Sequence, residues 1–142
     1  MPDIEHSIPI AAEPAAIYPL VATAPGFAQW WAEDITESDG AVSLGFFNRS
    51  TVYRVQLTVD QSPSLAEWTC ETGDESNGTR LAFRLEARGA GALLRFTHAN
   101  WRAQTEYFTS CNTTWGTLMY RLKAAAEEKS PGPLFLAADM AY

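Results

Sequence analysis

Long apolar runs are missing from this chain. No segment approaches the roughly 18 consecutive apolar residues that a membrane-crossing helix needs. The opening "MPDIEHSIPIAAEPAAIYPL" has acidic residues and prolines where an export signal has a positive end and an unbroken apolar stretch. A cytoplasmic protein is expected. Histidine and cysteine are scarce, two of each. His6, His98, Cys70 and Cys111 show no C-x-x-C or H-x-x-x-H spacing, so no metal site is assigned. The two cysteines are expected to be reduced and buried. The sequence also lacks a G-x-S-x-G elbow, a phosphate-binding P-loop and a dinucleotide glycine fingerprint, which removes the enzyme classes built on them. No cofactor and no catalytic residue is assigned. Positive charge is short as well: 10 Lys and Arg against 17 Asp and Glu give a formal net charge of -7, and no stretch gathers basic residues into a patch. Phosphate backbones would be repelled, which excludes nucleic acid as a partner.

What is present suits one folded domain spanning residues 1–142. The chain is 46% hydrophobic and 19% charged, with 12% aromatic residues, and it is long enough for a substantial core. "IEHSIPI" puts Ile4, His6, Ile8 and Ile10 on one parity, which predicts a first strand. "AAEPAAIYPLVATAPGFAQWWAE" has helix-favouring alanines broken by Pro19 and Pro25, so two short helical pieces are expected, the second carrying Phe27, Trp30 and Trp31. Adjacent in sequence, Trp30 and Trp31 are not expected to point inward together.

From residue 35 to 101 the period becomes two, punctuated by "SDG", "NRS", "QSPS", "GDESNG" and "RGAG". Six strands follow from this: "ITES", "AVSLGFF", "TVYRVQLTVDQS", "LAEWTCET", "TRLAFRLEAR" and "ALLRFTHANW". With the first strand they make a seven-stranded antiparallel meander. Leu81, Phe83 and Leu85 share its covered face, while Arg54, Arg80, Arg84 and Arg95 are expected outside, paired with acids. Beyond it the apolar spacing returns to three and four at Phe108, Cys111, Trp115, Leu118, Met119 and Leu122, which predicts one helix from about Gln104 to Lys129, stopped by "SPGP". Trp115 and Leu122 should be buried, and Arg121 and Lys123 wet. One helix is narrow against seven strands, so the sheet must curve around it, and such curvature tends to leave a pocket.

The strings "HSIPIAAEPAAIYPLV", "GFAQWWAE", "TRLAFRLEARGAGALLRFTHANW" and "SCNTTWGTLMYRLKAAAEEKSPGPLF" together resemble the START-like, or SRPBCC, superfamily. Within it the chain is similar to the C-terminal domain of activators of the ninety-kilodalton heat-shock ATPase. The resemblance covers nearly the whole chain and implies an α+β helix-grip fold, with a seven-stranded curved antiparallel sheet wrapped around the long C-terminal helix and two short helices between the first and second strands. It also implies an apolar cavity of the kind that relatives use for lipids, sterols or polyketides. It transfers no single reaction, since fold analogy leaves function open. The N-terminal domain of a full activator has no counterpart in these 142 residues, so regulation of that ATPase does not follow.

The residues that can line one chamber are read from parity. Tyr53, Val55 and Leu57 share a face of the fourth strand, Trp68 sits on the fifth, Phe83 on the sixth, and Phe96 and His98 on the seventh. Trp31, Phe46, and Phe108, Trp115 and Met119 of the helix complete the candidate set. The competing reading is an ordinary packed core, because interiors are close-packed and voids destabilise. His98 is expected at the end of the chamber, orienting a guest without carrying out chemistry; the alternatives are a histidine satisfied by a carbonyl or a tyrosine, or a base oriented by Glu67 or Glu106. Binding of a small hydrophobic ligand, lipid-like or aromatic, is the expected function. An interaction or co-chaperone-like module, with a possible homodimer through an exposed tryptophan or the "PLFLAADMAY" tail, is a second reading. A cyclase or hydrolase acting on a hydrophobic substrate is a third.

Overall fold

Residue-by-residue alternation of burial runs through most of the sheet. The computed structural model describes residues 1–139; the last three residues of the apolar tail lie outside them. In chain order the elements are β1 (Ile4–Ile10), α1 (Pro14–Ala22), α2 (Ala24–Phe27), β2 (Asp34–Ser38), β3 (Ala41–Phe46), β4 (Thr51–Gln61), β5 (Leu65–Cys70), β6 (Arg80–Arg88), β7 (Gly91–Ala99) and α3 (Glu106–Ala126). The strands form one curved antiparallel sheet in the order β1-β7-β6-β5-β4-β3-β2. Leu81, Phe83 and Leu85 of β6 and Leu94, Phe96 and His98 of β7 are buried, while Arg80, Arg84 and Arg95 are exposed. The register sets Phe83 opposite Phe96 and Leu85 opposite Leu94, so both buried sets share the concave face. β2, β3 and β4 depart from the rule: β2 is largely exposed, β3 is buried at five of its six positions, and β4 changes partway along. The register of β4 shifts between Leu57 and Val59, and Leu57 and Val59 are half-buried where Tyr53 and Val55 are fully buried.

The helix that fills the concavity is a few residues shorter than the span predicted from about Gln104 to Lys129. Thr105 is used as the N-cap, its hydroxyl accepting from Phe108 N, so helical residues begin at Glu106. At the other end Glu128 (φ 62) and Ser130 (φ 48) are left-handed, which ends the turn sharply. Phe108, Trp115, Leu118, Met119 and Leu122 form its buried stripe.

Three expectations are corrected. Pro19 does not break a helix: it lies inside α1, and the break comes at Thr23, whose hydroxyl caps α2. There Gly26 approaches the backbone of Pro19 and Leu20 too closely for any Cβ, which lets the two short helices pack. Second, Trp30 and Trp31 both point inward, with 0% and 2% exposure. They follow α2 in a turn and meet different walls: Trp30 Nε1 donates to Leu20 O at 2.9 Å, and Trp31 tilts against Trp115 at 5.0 Å between ring centroids. The chain's own end is bonded to the backbone of this turn. Leu134 N and Phe135 N donate to Trp30 O and Trp31 O, and Phe135 O accepts from Glu33 N, forming a parallel bridge between Ala32 and Phe135. Third, Arg121 and Lys123 are half-buried rather than wet. Arg121 donates to the carbonyls of Pro131 and Gly132 and Lys123 to that of Pro9, so each cation holds a backbone segment against α3.

Candidate functional site

The middle of the cleft between sheet and α3 is filled by rings. Phe96 stacks on Trp115 at 4.1 Å, Phe83 lies 5.1 Å from Phe96, and Phe27 touches both Trp31 and Trp68 at 5.0 Å. These spacings are those of packed aromatic pairs, which accounts for a filled centre.

Space remains toward the first turns of α3. A half-open groove of about 220 Å³ lies between the rim of β3 and β4 and the helix, lined by Trp31, Phe46, Phe47, Thr51, Tyr53, Tyr107, Ser110, Cys111, Thr114, Trp115, Leu118 and Phe135. Small side chains on the helix create it. Ser110, Cys111 and Thr114 stand where larger residues would have met Phe46 and Tyr53. Phe135 of the returning C-terminal segment packs edge-on against Phe46 and Phe47, 4.9 and 5.7 Å between centroids, and closes one end.

One side of the groove is polar. Tyr53 and Tyr107 hydroxyls are 2.9 Å apart, and both phenols hydrogen-bond the Cys111 thiol. Burial pushes the Tyr53 hydroxyl well above its usual range, with Cys111 and Tyr107 adding to the effect. Burial also raises the Cys111 thiol, against the lowering effect of the two phenols. Tyr53 and Cys111 are therefore neutral near pH 7. They offer protons to a hydrogen bond and supply neither a thiolate nor a phenolate nucleophile.

Four of the twelve residues expected from sequence meet in this groove: Trp31, Phe46, Tyr53 and Trp115. Val55, Phe83, Phe96 and Met119 lie in the core behind it. Leu57 and Trp68 border a separate depression near Thr23 and the β2–β3 turn, with Trp68 Nε1 donating to Val21 O at 2.8 Å. Phe108 and His98 flank Trp101, at 5.6 and 4.6 Å between centroids. His98 is fully buried and does not line the groove. Its Nε2 is 2.8 Å from Thr79 Oγ1, whose own proton goes to Ser76 O at 2.5 Å, so the imidazole must be the donor and carries its proton on Nε2. Nδ1 has no hydrogen-bond partner among the described residues. Burial lowers the His98 pKa to about 3. Glu67 faces outward toward Arg80 and Glu106 is exposed in the first turn of α3; neither orients the ring.

Tyr107, Cys111, Thr114 and Leu118 were missed as site residues, although their spacing of four, three and four is one stripe of a helix. Phe47 and Phe135 carry no such signal.

No protein-family model matches the chain, and no curated protein matches it. Among solved structures it is similar to Aha1 from Colwellia psychrerythraea, whose solution structure is that of a dimer: identity is 29%, the match covers 89% of this chain and 97% of that one, and the TM-score is 0.79. CalU16 from Micromonospora echinospora (14% identity, 93% of this chain and 69% of that one, TM-score 0.73) shares the fold. DynU16, from the dynemicin biosynthetic locus, does so too (11% identity, 94% and 50%, TM-score 0.75). Sheet order, the two helices after β1 and the gripped α3 agree with these likenesses, and the chain has the helix-grip fold that these structures share.

Proposed function

We propose that the chain binds one small, apolar, aromatic molecule in the groove between β3–β4 and the start of α3. The observation that carries this reading is an aromatic-walled groove with a neutral hydroxyl cluster on one side, the combination that binds and orients small ligands. At about 220 Å³ the groove is below the roughly 300–1,000 Å³ of drug-sized sites, which favours a guest of one or two rings over a lipid or sterol. Trp31, Phe46 and Trp115 would supply the stacking surfaces and Tyr53 the nearest polar contact. Neutral, raised-pKa groups favour binding over turnover. The test is a thermal-shift screen of one- and two-ring aromatics followed by tryptophan fluorescence titration, because Trp31 and Trp115 both line the groove. A ligand at about a hundred times its Kd should add about 2.7 kcal/mol, a shift of about 9 °C for a chain of this length. Ser110→Trp, on the exposed rim, should block the groove and remove that shift. An empty screen, or a shift that survives Ser110→Trp, would refute the assignment.

A second reading, assembly with another copy, is favoured by the dimeric Colwellia relative and by exposed Tyr120 and Leu136. Neither Trp30 nor Trp31 is available for it, since both are buried. Sedimentation of wild type and Tyr120→Ser would separate a dimer from a monomer.

A further inference from the structure

Three proton-bearing groups converge on one spot of the groove wall: Tyr53 Oη, Tyr107 Oη and Cys111 Sγ. Tyr53 Oη has both other groups as hydrogen-bond partners, Tyr107 Oη at 2.9 Å and the Cys111 thiol. Sulfur is the weakest of these acceptors. A phenol proton directed at the thiol gains when a stronger acceptor arrives. A carbonyl oxygen entering the groove is such an acceptor, and a hydrocarbon of the same shape is not.

Charge narrows the ligand class further. Among the described residues the groove is lined by no Lys, Arg, Asp or Glu, and the charge that acts on Cys111 is the carboxylate of Glu75. An anion would lose its hydration with no cation to meet it, in a chain of formal charge -7. We infer that Tyr53, Tyr107 and Cys111 form a recognition cluster for the carbonyl oxygen of a neutral aromatic ligand, an assignment that rests on the binding role proposed above. The rings set the shape that is accepted, and the hydroxyls set the polarity.

Three probes of nearly one shape test it: 1-tetralone, a neutral ketone; tetralin, its hydrocarbon analogue; and 1,2,3,4-tetrahydro-1-naphthoate, a carboxylate. Each is titrated by tryptophan fluorescence into wild type, Tyr107→Phe and the double variant Tyr53→Phe/Tyr107→Phe, with melting curves to show that the variants are folded. Tyr107 sits at the rim, so its single variant leaves the core untouched. Wild type should bind tetralone about three- to tenfold more tightly than tetralin, the worth of one net hydrogen bond, and the carboxylate most weakly. Tyr107→Phe should reduce the ketone preference and the double variant should abolish it, while tetralin affinity stays within about twofold because the rings remain. Equal affinities for tetralone and tetralin in wild type, a ketone preference that persists in the folded double variant, or a preference for the carboxylate would each overturn the inference and leave apolar binding standing. Binding of none of the three would overturn both.

Discussion

Replacing His98 should flatten the acid side of the protein's stability curve. The ring is fully buried, donates from Nε2 to Thr79, and packs against Trp101 and edge-on against Trp115. Burial disfavours the imidazolium and lowers the pKa from 6.5 to about 3. The sign follows from proton counting. Below 6.5 the unfolded chain takes up a proton that the folded chain refuses, so this residue's contribution is complete above 6.5 and is lost as the pH falls toward 3. At pH 5, which lies about 1.5 below the unfolded value, the loss is about 2 kcal/mol at about 1.36 kcal/mol per pH unit. With about 2.1 cal/mol/K of unfolding entropy per residue, that is about 7 °C in Tm. Urea and thermal melts of wild type and His98→Gln at pH 7 and pH 5 give the quantity directly. Carboxylates titrate in both proteins and cancel in the difference, as does any uniform cost of the substitution. Wild type should lose about 2 kcal/mol more than the variant across this interval. Parallel losses, within about 0.5 kcal/mol of each other, would refute the reasoning and mean that the folded protein accommodates a charged ring.

Glu127 accepts from Ala11 N at 2.8 Å and Lys123 Nζ at 2.7 Å, and these bonds, the lysine's first, lower its pKa from 4.5 to about 2. Glu127→Gln should cost about 1 kcal/mol at pH 7, and the gap to wild type should close as the pH falls from 4.5 to 2, measured by melting at each pH. Phe135→Ala should cost about 3 kcal/mol in urea unfolding and shift tryptophan emission to the red, because the ring packs on Phe46, which touches Trp31, and lines the same groove.

The strands and the long helix were legible because one side of each faces water. Alternation in "TRLAFRLEAR" and three-four spacing from Phe108 to Leu122 are direct images of burial, and the observed bounds of these elements fall within a few residues of the predicted ones. Contacts between distant segments leave no such image. Glu33 and Ala137, 104 residues apart, are joined by a hydrogen bond that ties the C-terminal segment to the turn after α2, and no local pattern announces it. Arg121 and Lys123 read as solvated for the same reason: the carbonyls that draw them inward come from the β1 end and the C-terminal segment. The candidate chamber was legible as a set of inward residues but not as a location. Parity tells which side chains enter the cleft. It does not tell where they fill it.

Where they fail to fill it follows from volume along α3. Between Phe108 and Trp115 the residues of α3 that face the groove are Ser110, Cys111 and Thr114, all small, and from Trp115 through Leu118, Met119 and Leu122 the stripe is bulky. Opposite the bulky half the rings of Phe83 and Phe96 meet Trp115. Opposite the small residues Phe46 and Tyr53 face Ser110, Cys111 and Thr114 across the groove, with Tyr107 bonded to Tyr53 at its rim. Sealed and dry, about 220 Å³ of void would cost about 5 kcal/mol at about 24 cal/mol per Å³, a large part of the 5–15 kcal/mol that holds a domain of this size together. Left half-open and given three hydroxyl and thiol groups, the same space can be wetted and carries much less of that cost. A ring that displaces the water while its oxygen takes over one phenol proton recovers the apolar contacts that the small residues leave unmade. On the proposed binding role, the groove's aperture and its polar wall would serve one end: they make the empty state tolerable and the filled state selective.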